Sequence, residues 1–144
     1  MKQFRFRLEQ VLRVRRIQED RERAALMVAN RNAREAALQV EQRFEEYTAR
    51  PRPSGPQSID DFERTLFMLD TAAGAIGVAR GEHRVAVAVV DEQREMWSAA
   101  RMRVHALERL EDRRRAEYEI EMRRAEDRLV DDLVVARHAR GVNR

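Results

Sequence analysis

The chain has 144 residues, of which 38% are charged and 6% aromatic, with five glycines, three prolines and no cysteine. This composition is typical of long helices or coiled coil, and it argues against a compact globular core. The absence of cysteine excludes disulfide and thiolate chemistry. The sequence has no apolar run of about 18 residues or more, which a membrane-spanning helix would need.

The first half of the chain predicts one long helix, over about residues 4–50. Its apolar side chains recur at steps of three and four residues, as in a coiled-coil seam. Polar residues interrupt the row, and such a break can set the register of a coiled coil or mark a surface for another protein. The seam comprises Leu26, Ala29, Ala33, Ala37, Val40, Phe44 and Tyr47, and the interruption comprises Arg15, Glu19 and Glu22.

A turn is predicted over residues 51–57, which contain all three prolines and Gly55. Proline has no amide hydrogen to donate and restricts the residue before it, so a continuous helix cannot pass through this segment. Ser58 then favours a new helix over about residues 58–139, because serine is a good N-cap. Asp60 and Asp61 in its first turn complement the helix dipole.

The second helix carries a longer seam with a weak middle. Gly74, Gly77 and Gly81 fall in that middle, and each costs about 1 kcal/mol relative to alanine inside a helix. We expect a kink, a local break or a closely packed face there. The seam is predicted at Ile59, Phe62, Leu66, Leu69, Ala73, Ile76, Arg80, His83, Val87, Val90, Trp97, Ala100, Val104, Leu107, Leu110, Tyr118, Met122, Ala125, Leu129, Leu133 and Ala136.

The predicted fold is a single all-α domain over residues 1–144, an elongated antiparallel coiled coil, for which two arrangements remain open. If the chain reverses at 51–57, about 35 C-terminal residues extend past the N-terminus. If it reverses near Gly74–Gly81, both termini share one tip. Residues 1–16 carry six basic groups and one acid (+5), and the last eight residues carry three arginines (+3). The acidic middle of the chain and its two basic ends favour the shared tip.

No pattern of residues indicates catalysis, a cofactor or a metal ion. The sequence lacks a phosphate-binding glycine loop and a nucleophile elbow. His83, His105 and His138 have no second histidine at helical spacing, so they do not form a metal pair. The sequence pI of about 10.1 keeps nucleic-acid binding as an alternative function. Against it, acids alternate with arginines outside residues 1–16, which is typical of a solvated helix face.

Both ends of the sequence resemble the flagellar export protein FliJ family. Residues 4–13 read Phe-Arg-Phe-Arg-Leu-Glu-Gln-Val-Leu-Arg, an aromatic–basic–aromatic opening followed by Leu-Glu and an apolar pair. Residues 107–119 and 126–137 form a charged run that contains Leu-Val-Asp-Asp-Leu at 129–133. The length also agrees with that of the family, whereas the middle of the chain agrees only in its helical character.

The resemblance implies an antiparallel coiled coil similar to the central stalk of rotary ATPases. It implies a non-enzymatic cytoplasmic protein of the flagellar type III export apparatus, in peripheral contact with the inner face of the cell membrane. Its implied partners are the hexameric export ATPase, the membrane protein of the export gate and export chaperones, with no small-molecule substrate. An equivalent stalk of a non-flagellar type III secretion system and a nucleic-acid-binding coiled coil remain the alternatives.

The resemblance also implies two partner-binding surfaces. One is a tip, expected to face the ATPase, at which we place the first residues beside the helix that follows Leu129. Phe4 and Phe6 could staple the start of the helix there or anchor in a pocket of the partner. The tip set is Phe4, Phe6, Arg7, Leu8, Leu12, Leu129, Asp132 and Leu133. The second surface, expected to face the export gate as an exposed row, is Ala72, Ile76, Ala79 and His83.

Overall fold

Two long helices make up the secondary structure. The structure, a computed structural model, describes residues 3–142, with side chains to residue 138. Helix α1 spans Glu9–Thr48 and helix α2 spans Ile59–Val142, and the described residues include no strand. The predicted all-α class with two long helices is therefore confirmed. The side chains of Lys2, Arg140 and Arg144, which contribute to the basic ends, lie outside the described part.

The segment between the helices is fixed by caps on both sides. At the end of α1, the Ala49 amide and the Thr48 hydroxyl both donate to the Glu45 carbonyl, at 2.9 and 3.0 Å. The prolines that follow end the helix, and Gly55 has a φ of 116°. At the start of α2, the Ser58 hydroxyl accepts a hydrogen bond from the Asp61 amide at 3.2 Å. Ser58 is therefore the N-cap of α2.

Helix α2 is continuous through all three of its central glycines. The reversal near Gly74–Gly81, which the charge gradient favoured, is therefore wrong, and the chain reverses at the proline-rich segment. Glycine weakens a helix by a limited amount at each position, whereas packing of an apolar face contributes most of a helix's stability in a folded protein. Here Ile76 and Ala79 are buried between the glycines and hold this stretch in the helix.

The chain divides into two compact units, each built from parts of both helices. The first unit joins the residues up to Gln18 with those from Arg101 onward, and the second comprises Glu19–Ala100. In the first unit the helices are antiparallel, since Arg16 pairs with Glu108 while Phe4 pairs with Tyr118.

The buried side chains form a single seam in each unit. Leu12 and Val104 are buried in the first unit. In the second unit four of the six buried side chains are alanines. These six are Ala29, Ala72, Ile76, Ala79, Val90 and Ala100. On α1 the half-buried row includes Arg15, Glu19 and Glu22, so the polar interruption lies within the seam.

The α2 seam differs from the predicted row: it is shifted by one residue near the glycines, and several predicted members elsewhere are exposed, namely Ile59, Phe62, Leu66, Val87, Leu129 and Leu133. Ala72 and Ala79 are buried, whereas Ala73 and Arg80, which we predicted at the seam, are exposed. Both rows have the spacing of a coiled coil and both include Ile76. The predicted row would remove the Arg80 guanidinium from water, which is costly without a partner. In the observed row, Ala79 takes the place that Arg80 has in the predicted row.

Replacing Gly77 by alanine should stabilise the protein by about 1 kcal/mol, because alanine is the better helix former. A Cβ at this position would have no other atom within 4 Å, so no clash opposes the gain. Urea unfolding followed by circular dichroism would measure the change. The matched control is Gly55→Ala, which should destabilise the protein because its φ of 116° strains an L-residue. An unchanged or lower stability of Gly77→Ala would contradict this account of α2.

Candidate functional site

The start of α1 is fixed to α2 by one apolar side chain from each helix. Leu12 and Val104 are each only 3% exposed, the lowest values among the described side chains. Leu107 and Leu110 next to them are half-buried, and Leu8 is exposed. The buried apolar layer therefore has one side chain from each helix, with half-buried leucines on α2 beside it.

The residues that precede α1 are also held against α2. The Phe4 ring lies 5.7 Å from the Tyr118 ring, at an interplanar angle of 50°. The Arg115 guanidinium carbon lies 5.6 Å from the centre of the Phe4 ring, and its Nη2 donates to Glu111 at 3.2 Å. Tilted aromatic pairs and exposed cation–π contacts each contribute up to about 1 kcal/mol. Phe4 is thus an intramolecular anchor.

A polar network crosses between the helices close to Leu12. Arg16 Nη2 donates to Glu108 Oε1 at 3.0 Å. His105 Nδ1 lies 3.2 Å from the second Glu108 oxygen, and Arg101 Nε donates to His105 Nε2 at 3.3 Å. Because Nε2 accepts from Arg101, Nδ1 is the nitrogen that donates to Glu108. Glu108 therefore accepts from both helices, and this network fixes their register in the first unit.

The pKa of Glu108 lies below its ordinary value of 4.5, chiefly because of the hydrogen bond from Arg16. Partial burial opposes this by raising the pKa, while the charge of Arg16 and the hydrogen bond from His105 lower it further. A carboxyl group whose pKa is lowered by folding stabilises the folded state above its unfolded pKa. That stabilisation is lost as the pH falls through the lower, folded-state value.

Beyond Tyr118, helix α2 continues with every described side chain except Met122 exposed. Leu129 lies eleven residues after Tyr118, or about 16 Å further along the helix axis. Large apolar side chains on several sides of this segment face water: Leu129, Val130, Leu133, Val134 and Val135. Such a concentration of exposed apolar groups is typical of a surface that binds another protein.

The predicted tip residues separate into two groups. Phe4 and Leu12 are engaged inside the first unit, and Phe6 is half-buried. Our placement of Phe4 beside the helix that follows Leu129 is wrong, because its aromatic partner is Tyr118. The charge gradient suggested that placement, but the position of the turn decides which residues meet. The side chains left open to a partner are Arg7, Leu8, Leu129, Asp132 and Leu133.

The row predicted to face the export gate is not an exposed surface. Ala72, Ile76 and Ala79 are buried in the seam of the second unit, and His83 is half-buried. Their spacing is that of a coiled-coil row. Residues with this spacing can pack in the protein's own seam, or they can bind a partner. The sequence pattern did not distinguish the two uses.

The side chains that join the helices of the first unit were not predicted from the sequence. The sequence pattern assigns Arg16 to the basic stretch of residues 1–16, Glu108 and Arg115 to an alternating charged face, and Tyr118 to the seam. Which of many similar charges meet across a helix pair depends on the position of the turn. No local pattern could have identified them.

Within the described residues, no cluster of histidine, aspartate and glutamate side chains has the arrangement of a metal site. In the same part of the chain, no helix combines the length and apolarity needed to cross a membrane.

In a comparison with known protein families, the chain matches the flagellar FliJ protein over residues 4–143. The match includes both ends of the sequence and the middle, in which the residues alone indicated only helix. Comparison with curated proteins gives no match, and comparison with solved structures gives none either.

Replacing Arg16 by methionine should raise the pKa of Glu108 toward 4.5, because the largest cause of its lowering is removed. The stabilisation that Glu108 contributes above that pH should shrink with it. Titration of the Glu108 carboxyl carbon by NMR would measure the shift. Arg43→Met is the matched control, since Arg43 pairs with Glu46 inside α1. An equal Glu108 pKa in the wild type and Arg16→Met would refute the assignment.

Proposed function

The chain belongs to the FliJ family of flagellar proteins, and on that premise we propose that it is a non-enzymatic component of flagellar protein export. It would act by contact with other proteins and would need no cofactor. The observation that carries the proposal is the exposed apolar segment of α2 beyond Tyr118. A helix that presents valines and leucines to water supplies a binding surface and no reactive group.

The partner proposed for this segment is the hexameric export ATPase. Leu129 and Leu133 are four residues apart, so they lie on one side of α2 and can enter one groove of a partner. Asp132 would flank them, with Arg7 and Leu8 contributing from the start of the chain. Phe4 and Leu12 would support this surface indirectly, by holding the start of the chain against α2.

The proposal also includes the membrane protein of the export gate and export chaperones as partners. The gate contact cannot use Ala72, Ile76 and Ala79 while the helices of the second unit are paired, because these side chains are buried. His83 is the member of that row with part of its side chain in water. Location in the cytoplasm, with peripheral contact at the inner face of the cell membrane, follows from these partners and is part of the proposal.

Two alternative functions have less support. An equivalent stalk in a non-flagellar type III secretion system would use the same surfaces, but the matched family is flagellar. A nucleic-acid-binding coiled coil would need a cluster of free basic groups. Several arginines are instead paired with acids, including Arg16, Arg43 and Arg114. Nucleic-acid affinity that falls steeply with salt would be its signature.

The double substitution Leu129→Ala and Leu133→Ala should weaken binding to the export ATPase at least about ten-fold, because truncation of central apolar anchors costs more than other interface changes. Calorimetry or co-sedimentation with the purified ATPase would measure the affinity. These side chains are 63% and 60% exposed, so the substitutions should leave the helix pair intact.

The matched control is Leu38→Ala on α1, where the leucine is 62% exposed. It should leave ATPase affinity unchanged. Equal affinity of the double variant and the wild type would rule out this segment as the ATPase-binding surface.

A further inference from the structure

In the second unit, helix α2 carries a second row of apolar and small residues outside its buried seam, and part of this row borders a groove beside α1. Val78 follows the buried Ile76 by two positions, which is a rotation of about 200° around the helix. Phe67, Val78 and Val85 in this row are 73%, 64% and 66% exposed. The steps alternate between four and three, as in a coiled-coil seam. The outward row consists of Phe67, Thr71, Gly74, Val78, Gly81 and Val85.

Packing within the chain does not explain the composition of the outward row. A Cβ at Gly74 or Gly81 would meet no other atom within 4 Å, so neither glycine is required by a close neighbour. Glycine in a helix interior costs stability, and it permits the close approach of another backbone. Beside the row, Asp70 and Arg84 form no ion pair with any described residue. The row therefore has the features of half an interface.

We propose that the outward row binds a second copy of this chain, with the two α2 helices antiparallel and related by a twofold axis near residue 76. In this arrangement, a residue of one copy lies opposite a residue of the other copy when their two residue numbers add up to 152. Phe67 of one copy then faces Val85 of the other, Thr71 faces Gly81, and Gly74 faces Val78. Each glycine thus lies opposite a larger side chain, as close packing requires.

The charges beside the row favour this register. Asp70 of one copy lies next to Arg84 of the other, and the twofold axis repeats the pair, so two attractive pairs form across the interface. A shift by one heptad would place Asp70 next to Asp91 of the other copy, and like charges disfavour it. The charge pattern therefore selects one register among those that the apolar spacing allows.

A parallel pairing of the same row is disfavoured. In register it would place Gly74 against Gly74 and Gly81 against Gly81, which leaves gaps between the helices. It would also bring Asp70 next to Ala75 and Arg84 next to Val89, so that no ion pair forms.

Beyond the six core levels, the antiparallel pairing places Ala88 opposite Arg64, and the interface ends there. A contact of this length forms a dimer that dissociates on dilution.

The wild-type protein should show a concentration-dependent equilibrium between monomer and dimer in sedimentation equilibrium experiments. Asp70→Arg and Arg84→Asp should each weaken the dimer roughly ten-fold, because two attractive pairs become two repulsive ones. Circular dichroism should be unchanged, since both side chains are exposed. Arg31→Asp is the matched control, on the outward side of α1, and should dimerise as the wild type does.

Mixing the two variants tests the register itself. In a heterodimer of Asp70→Arg with Arg84→Asp, the two substituted side chains lie next to each other and carry opposite charges. The other pair in that heterodimer is the native one, Arg84 of the first variant next to Asp70 of the second, so both pairs are attractive again. The mixture should therefore recover the wild-type dimer constant, as should the double variant alone.

Two results would count against the proposal. A wild type that stays monomeric at every concentration overturns it and leaves the outward row to a helix of another protein. A dimer that does not respond to either charge reversal overturns the proposed register. Neither measurement involves the export ATPase, so these outcomes are independent of the proposed function.

Discussion

A pair of helices can bury only one row of side chains on each, and this constraint determines the rest of the structure. The buried side chains among the described residues are Leu12 and Val104 in the first unit and the alanine-rich seam in the second. Other apolar side chains stay half-buried or exposed because no third layer covers them. Alanines at the seam let the helices approach closely, so that dispersion contacts between backbones replace the large side chains of a globular core. Every exposed apolar group is then available to another protein.

The first unit supplements its thin apolar layer with aromatic and charged contacts. Phe4 rests between Tyr118 and Arg115, and Glu108 accepts hydrogen bonds from both helices. These contacts are specific in geometry, whereas an alanine or leucine seam could slide by a heptad without losing much burial. They therefore define where α1 begins relative to α2. That position leaves the last part of α2 without a partner helix, and this unpartnered segment is the basis of the proposed contact with the ATPase.

Helix α2 has coiled-coil spacing on two opposite sides between Phe67 and Val85. One row is buried against α1 and the other is exposed apart from the half-buried Gly81, although both have apolar residues at the same alternating steps. This explains why the residues predicted to face the export gate proved to be buried. Arg80 would have been removed from water in the predicted seam, and the cost of burying that charge favours the row through Ala79. The outward glycines lower the intrinsic stability of the helix and do not improve packing within the chain. They are consistent with the proposed contact with a second copy.

The sequence by itself determined the helical class, the proline-rich turn, the Ser58 cap and the family, because these depend on local propensities and on short motifs. It also determined that a polar interruption lies in the α1 row. Only the tertiary structure decided that α2 continues through its glycines, that Phe4 meets Tyr118 and that Ala72, Ile76 and Ala79 are buried. The physical reason is that a heptad pattern is repetitive and fits several registers and two faces of one helix. One register and one face are selected by the position of the turn, by the cost of burying Arg80 and by the contacts of Glu108. Each of these three factors depends on residues distant in the chain.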